Sequence, residues 1–114
     1  MKLLHVHAQG SFHDDVYIYG NREALEALAS AIQLAIVNRV SMNEFFVNDG
    51  EGFRVIVIHN DAQWEDKSWT DAATPYIDDF AAEQRKHAVW PLGLLTAGER
   101  KRIAAAHAAA KGGA

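Results

Sequence analysis

The fold is decided by the stretch Asn43-Glu-Phe-Phe-Val-Asn48-Asp-Gly-Glu-Gly52-Phe-Arg-Val-Ile-Val-Ile58-His-Asn60. Asp49-Gly50 predicts a β-hairpin turn, because glycine adopts positive φ without steric cost and aspartate tolerates it. Gly52 is a second position where positive φ is allowed. A two-residue turn and a four-residue loop or bulge are therefore both compatible with the sequence, and they give the two strands different pairing registers. The four β-branched residues from Val55 to Ile58 are typical of a strand buried on both faces. We therefore expect a cover on each face of this hairpin.

Upstream of the hairpin the pattern predicts two strands and a helix. Lys2–Ala8 and Val16–Tyr19 alternate, and the short connection between them favours antiparallel pairing. Gly20 ends the second strand, and Asn21 is the expected N-cap of a helix over Arg22–Asn38. Its apolar stripe is expected to pack on the sheet face that carries Val16 and Ile18; the stripe consists of Leu25, Leu28, Ile32 and Ile36, with Ala29 and Ala35. The fold prediction is α+β: a ββαββ antiparallel sheet of about four strands with one helix on a face, followed by C-terminal helices.

The second half of the chain is expected to supply the second cover. Thr74-Pro75 has the spacing of an N-cap followed by proline at the first helical position, which predicts a helix to about His87. Thr96 and Glu99 have the spacing of a capping box, which predicts an Ala-rich basic helix from Glu99 to about Ala110. We expect one α+β domain over residues 1–95 and a helix or tail over 96–114.

Composition narrows the classes of function. The chain has 114 residues, a net charge of −4, a pI near 5.8 and no cysteine. Disulfides, thiolate zinc sites and cysteine nucleophiles are therefore excluded, and broad nucleic-acid binding by charge is disfavoured. No run approaches the roughly 20 apolar residues of a membrane span, and the N-terminus does not read as a signal peptide. A cytoplasmic protein without a cofactor is expected.

Histidines suggest an enzymatic alternative. His5 and His7 lie at i, i+2 on the first predicted strand, which would turn both rings to one face, beside Tyr17 and Tyr19. Imidazole and carboxylate groups are common metal ligands, so His13 and Asp14 in the following connection would complete a site. This pattern predicts a metal-dependent hydrolase as the alternative, against a polar and aromatic sheet surface as the simpler interpretation.

Binding surfaces are suggested by aromatic residues in the polar second half. Three tryptophans can form an interface or a stacking platform, although a role in the core or in self-association to a homo-oligomer is also compatible. For a protein partner the candidate residues are Trp64, Asp66, Trp69, Trp90, Asp49 and Glu51. A small nucleotide is the alternative ligand, which would need a pocket joining aromatic rings to Arg54 or Arg85.

A predicted strand, a Gly-Asn junction and a predicted helix follow one another in the segment Asp15-Val-Tyr-Ile-Tyr-Gly20-Asn21-Arg-Glu-Ala-Leu25-Glu-Ala-Leu28-Ala29. Within residues 15–34 the chain resembles small proteins of phage and bacterial genomes, in particular an immunity-protein family of polymorphic toxin systems. Ala24 stands where that family has glycine. The resemblance implies a small cytoplasmic, non-enzymatic binding protein of the immunity or anti-defence type. Such a protein occludes or sequesters a toxin or defence effector, and the resemblance carries over no catalytic residue.

Overall fold

The computed structural model describes residues 1–11, 13–73, 75 and 88–112, with side chains in the last helix as far as residue 105. Within these residues the chain is an α+β protein with two antiparallel two-stranded sheets. β1 (Leu4–His7) pairs with β2 (Tyr17–Gly20), and β3 (Val40–Phe46) pairs with β4 (Gly52–Ile58). In the described part, one parallel bridge between Leu3 and Phe46 joins the sheets, in place of the continuous ladder of a four-stranded sheet.

The helices begin where local chemistry supports them. α1 (Arg22–Asn38) is capped by Asn21, whose Oδ1 accepts a hydrogen bond from the Ala24 N–H at 2.9 Å. The Asn21 N–H donates to the Leu3 carbonyl at 3.1 Å, which fixes the start of the helix against β1. Further elements are α2 (Lys67–Thr70), a 3-10 helix (Pro91–Leu94) and α3 (Ala97–Gly112). The helix expected from Thr74 to about His87 lies, apart from Pro75, outside the described residues.

α1 packs on a different part of the sheet from the one expected. Its buried residues are Ala24, Ala31 and Ala35, and it covers β3 and β4 rather than the face bearing Val16 and Ile18, which are both exposed. The core cluster joins Leu4, Ala24 and Phe45, with Ala27, Leu28, Phe53 and Val55 packed against it. Small side chains let the helix approach the sheet closely, and the Ser41 hydroxyl donates to the Ala31 carbonyl. Most of the stripe of large residues is therefore turned away from the sheet.

The central hairpin has a bulged connection, which was one of the expected alternatives to the two-residue turn. Phe46 pairs with Gly52, and the Gly50 N–H donates to the Val47 carbonyl at 2.9 Å. The Val47 N–H donates to the Glu51 carbonyl at 3.0 Å, and Gly50 has a φ of 91°. This is a turn followed by a left-handed glycine, the arrangement that makes a three-residue loop with a bulge. The resulting register turns Phe45 into the core beneath α1.

The C-terminal segment is attached at the junction between α1 and β3. Arg39 has a φ of 76°, and its guanidinium donates to the Glu99 carboxylate at 3.1 Å and to the Leu94 carbonyl. The predicted capping box is present. The Glu99 N–H donates to Thr96 Oγ1 at 3.1 Å, and the Thr96 N–H donates to Glu99 Oε1 at 2.8 Å. The first turns of α3 thereby lie beside β3, where Arg102 and Ile103 line a shallow groove together with Val40 and Met42. None of the described helices is long and apolar enough to cross a membrane.

Candidate functional site

The β1–β2 hairpin carries an open face of ring-bearing side chains, here called the aromatic face, which consists of His5, His7, Tyr17 and Tyr19. The register pairs His5 with Tyr19 and His7 with Tyr17. The His5 ring meets those of His7 and Tyr19 edge-on, with centroids 5.9 and 6.2 Å apart. Tyr17 is 62% exposed and Tyr19 is 74% exposed. The predicted alternation of β1 and β2 is therefore present, and the described residues leave this face open.

A groove of about 440 Å³ lies at the base of the aromatic face. It is lined by Leu3, His5, Tyr19, Gly20, Asn21 and Asn48. Asn48 reaches it from the loop between β3 and β4, and its backbone N–H donates to His5 Nε2 at 3.2 Å. Because a backbone N–H can only donate, Nε2 accepts, and in the neutral ring the proton lies on Nδ1. The groove therefore joins both hairpins and holds the His5 ring in a defined tautomer.

The outer edge of β2 adds main-chain groups to this surface. Among the described residues β2 pairs with β1 alone, so its other edge presents N–H and C=O groups without a strand partner. An unpaired edge is a template for an added strand. Aromatic side chains beside such an edge supply contact area at little cost in side-chain entropy. The arrangement is suited to hold an extended segment of another protein.

The residues expected to form a metal site make separate local contacts in the structure. His5 Nε2 is engaged with Asn48, as described above. Asp14 Oδ2 accepts from the Ser11 N–H at 3.0 Å and from the Ser11 hydroxyl at 3.3 Å, which closes the connection between β1 and β2. His13 lies in that connection with a φ of 67°. Among the described residues no three His, Asp or Glu side chains are grouped as metal ligands would be.

Two of the acidic residues expected to contact a partner stabilise their own loops in the structure. Asp66 caps α2, and its carboxylate accepts from the Ser68 hydroxyl at 2.5 Å and from the Ser68 N–H at 2.9 Å. These hydrogen bonds lower the pKa of Asp66 below its ordinary value, and the bond from the Ser68 hydroxyl has the larger effect. Asp49 Oδ1 accepts from the Glu51 N–H at 2.9 Å within the hairpin loop. Both aspartates have local structural roles, and the Glu51 side chain is exposed beside Asp49.

The three tryptophans are at the surface and do not cover the aromatic face. Trp64 is the most exposed, at 79%, whereas Trp69 and Trp90 are each a little under half exposed. The Trp69 indole N–H donates to the Ala62 carbonyl at 2.9 Å and so holds the loop after β4. None of the three lines the groove beside His5 and Tyr19. The tryptophans therefore do not contribute to the groove at the aromatic face.

The groove beside His5 and Tyr19 does not have the arrangement that was expected of a nucleotide pocket. Arg54 lies in β4, where its Nη1 is 3.7 Å from the Met42 sulfur. It does not line the groove at His5 and Tyr19. Arg85 lies outside the described residues. The described groove thus offers ring faces and amide groups but no guanidinium for a phosphate.

Asn48 and Leu3 are site residues that sequence reasoning missed. Asn48 was given no role, because its contact with His5 depends on β1 meeting the end of β3 at the Leu3–Phe46 bridge. Nothing in the local sequence of either hairpin encodes that meeting. Comparison with protein-family models, curated proteins and solved structures found no match to this chain.

Proposed function

We propose that the protein is a small, non-enzymatic binding protein of the immunity or anti-defence type, which neutralises a protein partner by occluding it. The observation that carries the proposal is the open aromatic face on β1 and β2, with two tyrosines that are more than 60% exposed. Tyrosine is, with tryptophan and arginine, one of the side chains enriched among the residues that dominate binding energy at protein interfaces. They have no role in the core, so a binding role accounts for their exposure.

The partner is a protein that offers an extended segment to the edge of β2. Main-chain hydrogen bonds along that edge would supply affinity, and pockets between alternate side chains would supply specificity. The groove at His5 and Asn48 has the size to receive one side chain of that segment. The resemblance over residues 15–34, which includes β2, supports a toxin or defence effector of a phage or bacterial system as the partner and the cytoplasm as the compartment.

The test is co-expression with the products of neighbouring genes, scored by growth rescue and by the affinity of the purified complex. Replacing Tyr17 and Tyr19 with serine is expected to abolish rescue and weaken binding by about 2 kcal/mol or more per hot-spot residue. The strands should remain intact, because both rings project into solvent. Circular dichroism of the variant checks that the fold is retained.

Trp64→Ser is the matched control, because Trp64 is more exposed than either tyrosine but lies in the loop after β4. It should bind and rescue like the wild type. Loss of binding in Trp64→Ser with retention in the tyrosine variant would transfer the site to the tryptophan loop. Stoichiometric metal in the purified protein, lost in His5→Ala/His7→Ala, would overturn the binding proposal in favour of a metal-dependent hydrolase.

A further inference from the structure

The C-terminal end of α1 is met by a side chain from another element. The first turn of α1 carries Glu23, which compensates the positive end of the helix dipole, whereas the last turn, which lies wholly within the described residues, has no basic residue. The carbonyls of the last turn also lack N–H partners within the helix. His59, which directly follows β4, reaches this end, and its Nδ1 lies 3.2 Å from the Ile36 carbonyl oxygen. An imidazole ring therefore caps α1 from the end of β4.

The position of this ring is fixed by the backbone on both sides of it. The His59 N–H donates to the Arg39 carbonyl at 2.7 Å, and the preceding residue, Ile58, pairs with Val40 of β3. His59 is therefore held beside the point where α1 ends and β3 begins. Its side chain is 36% exposed, so the ring lies against the helix end and still exchanges protons with water.

Both ring nitrogens of His59 face acceptors. A carbonyl oxygen can only accept, so Nδ1 must carry a proton to bond Ile36. Nε2 lies 3.6 Å from Oδ1 of Asp61. In the neutral ring with its proton on Nδ1, Nε2 presents a lone pair to this carboxylate, whereas in the imidazolium it presents an N–H. The charged ring therefore satisfies both neighbours, and it also places a positive charge at the negative end of the helix dipole.

The charged groups of the adjoining elements leave the Asp61 carboxylate to the ring. The Arg39 guanidinium is paired with Glu99 at 3.1 Å, which offsets its charge. None of the described basic residues makes an ion pair with Asp61 apart from His59 itself. The titratable and charged groups of the elements that adjoin the ring are Arg39 at the end of α1, Asp61 in its own loop, Asp66 and Lys67 at the start of α2, and Glu99 and Arg102 in α3.

We infer that His59 is a proton-operated cap of α1, which fastens the end of β4 to the end of the helix more strongly when its ring is charged. Histidine changes its charge between about pH 5 and pH 8, so the cap responds within the physiological range. Protonation adds the ion pair with Asp61 and the interaction with the helix dipole, whereas the bond to Ile36 is present in both forms. The cap lies at the opposite end of α1 from Asn21 and the groove, and the inference does not depend on the proposed function.

The protonation of the ring gives the first test. In nitrogen-15 NMR of the labelled wild type, the His59 ring should carry one proton at pH 8, on Nδ1, and a proton on each nitrogen at pH 5.5. A neutral ring with its proton on Nε2 would mean that the Ile36 carbonyl is not bonded, and it would overturn the inference. This measurement needs no substitution, so it does not depend on whether a variant folds.

His59→Asn separates the hydrogen bond from the charge. Asparagine places an amide N–H close to the position of Nδ1 but does not become charged. In denaturant unfolding at pH 5.5, the folding equilibrium constant of the wild type should be about two- to fivefold larger than that of His59→Asn, the factor that a charge at a helix end supplies. At pH 8 the two proteins should unfold nearly alike. A difference of the same size at both pH values would show a structural role that needs no proton, and it would overturn the inference.

Asp61→Asn and Glu65→Gln are a matched pair of backgrounds for the same comparison. Both residues are exposed carboxylates in the loop after β4, and of the two it is Asp61 that is paired with His59. The difference at pH 5.5 between histidine and asparagine at residue 59 should shrink in the Asp61→Asn background and persist in the Glu65→Gln background. A difference that is equal in both backgrounds would exclude the contact with Asp61 as the one that favours the charged ring, and it would overturn the inference.

Discussion

At the residue scale, Arg39 and Glu99 are the pair on which the attachment of the C-terminal segment depends. Arg39 adopts a positive φ, which is uncommon for a residue with a long side chain and has no sequence signature. That conformation ends α1 and turns the guanidinium to Glu99 and to the Leu94 carbonyl. Glu99 is 7% exposed although it is charged. Buried charges are ordinarily paired, and here the pair joins two segments that are 60 residues apart.

Glu99→Gln should make the attachment of α3 less sensitive to acid. The Thr96 N–H, and next the Arg39 guanidinium, hold the pKa of Glu99 below its ordinary value of about 4.5, against an opposing effect of burial. A carboxyl group with a lowered folded-state pKa stabilises the fold above the unfolded pKa, and this contribution is lost as the pH falls through the folded pKa. The wild type should therefore be more stable than Glu99→Gln at pH 7, and the difference should shrink below about pH 4.5.

Thermal unfolding followed by circular dichroism at pH 7 and at pH 3 measures this difference. Glu26→Gln is the control, because Glu26 is exposed and its ion pair within the described part of the chain is with Arg22, one turn earlier. An exposed ion pair of this kind contributes about 0.3–0.5 kcal/mol, so this variant should melt close to the wild type at both pH values. A stability difference between wild type and Glu99→Gln that is unchanged from pH 7 to pH 3 would contradict the role of the charge.

The capping box and Arg39 show what could be predicted at this scale. The spacing of Thr96 and Glu99 encodes a local hydrogen-bond pair, and both of its bonds are present. The contact of Glu99 with Arg39 is long-range, and no pattern within either segment contains it. Asn21 and Asn48 differ in the same way. The cap at Asn21 is a local contact and was predicted from its position, whereas the contact of Asn48 with His5 is long-range and was not predicted.

At the element scale, the loop of the central hairpin depends on Gly50. Its φ of 91° lies in the left-handed region, and a Cβ there would meet no atom within 4 Å. Gly50→Ala should therefore destabilise the protein by about 1–2 kcal/mol through backbone strain alone. Gly93→Ala is the control, because a Cβ at Gly93 also meets nothing within 4 Å and its φ is not positive. Denaturant unfolding should show a lower midpoint for Gly50→Ala and little change for Gly93→Ala, and equal shifts would contradict the argument.

α1 shows the limit of periodicity as a predictor. The cap at Asn21 and the apolar spacing predicted its bounds, because both are local properties of the helix. The face it buries was predicted only in part: Leu28 and Ala35 of the predicted stripe face the core, but Leu25, Ile32 and Ile36 are exposed. Ala24 and Ala31, which were not in the stripe, are buried against the sheet. Whether large or small residues are turned inward depends on the distance between helix and sheet, which one segment does not encode.

At the scale of the whole molecule, the two hairpins are joined by a small core. Its largest fully buried side chains are Phe45 and Leu4. Leu4 belongs to β1 and Phe45 to β3, and both pack against Ala24 at the start of α1. Gly20 also lies here, where a Cβ would come within 2.9 Å of the Leu3 carbonyl. An isolated two-stranded hairpin is marginally stable at best, so β1 and β2 depend on this junction.

Leu4→Ala should therefore weaken both hairpins together. Deleting a fully buried leucine costs about 2–5 kcal/mol, which is a large part of the roughly 5–15 kcal/mol that stabilises a domain. Hydrogen exchange should show the amides of β1–β2 and of β3–β4 losing protection by similar factors, because Leu4 contacts the core that both share. Val6→Ala, on the same strand but 47% exposed, should change protection far less. If β3–β4 kept its protection in Leu4→Ala while β1–β2 lost it, the hairpins would be separate folding units, and the aromatic face would be carried by an element that opens without the rest of the molecule.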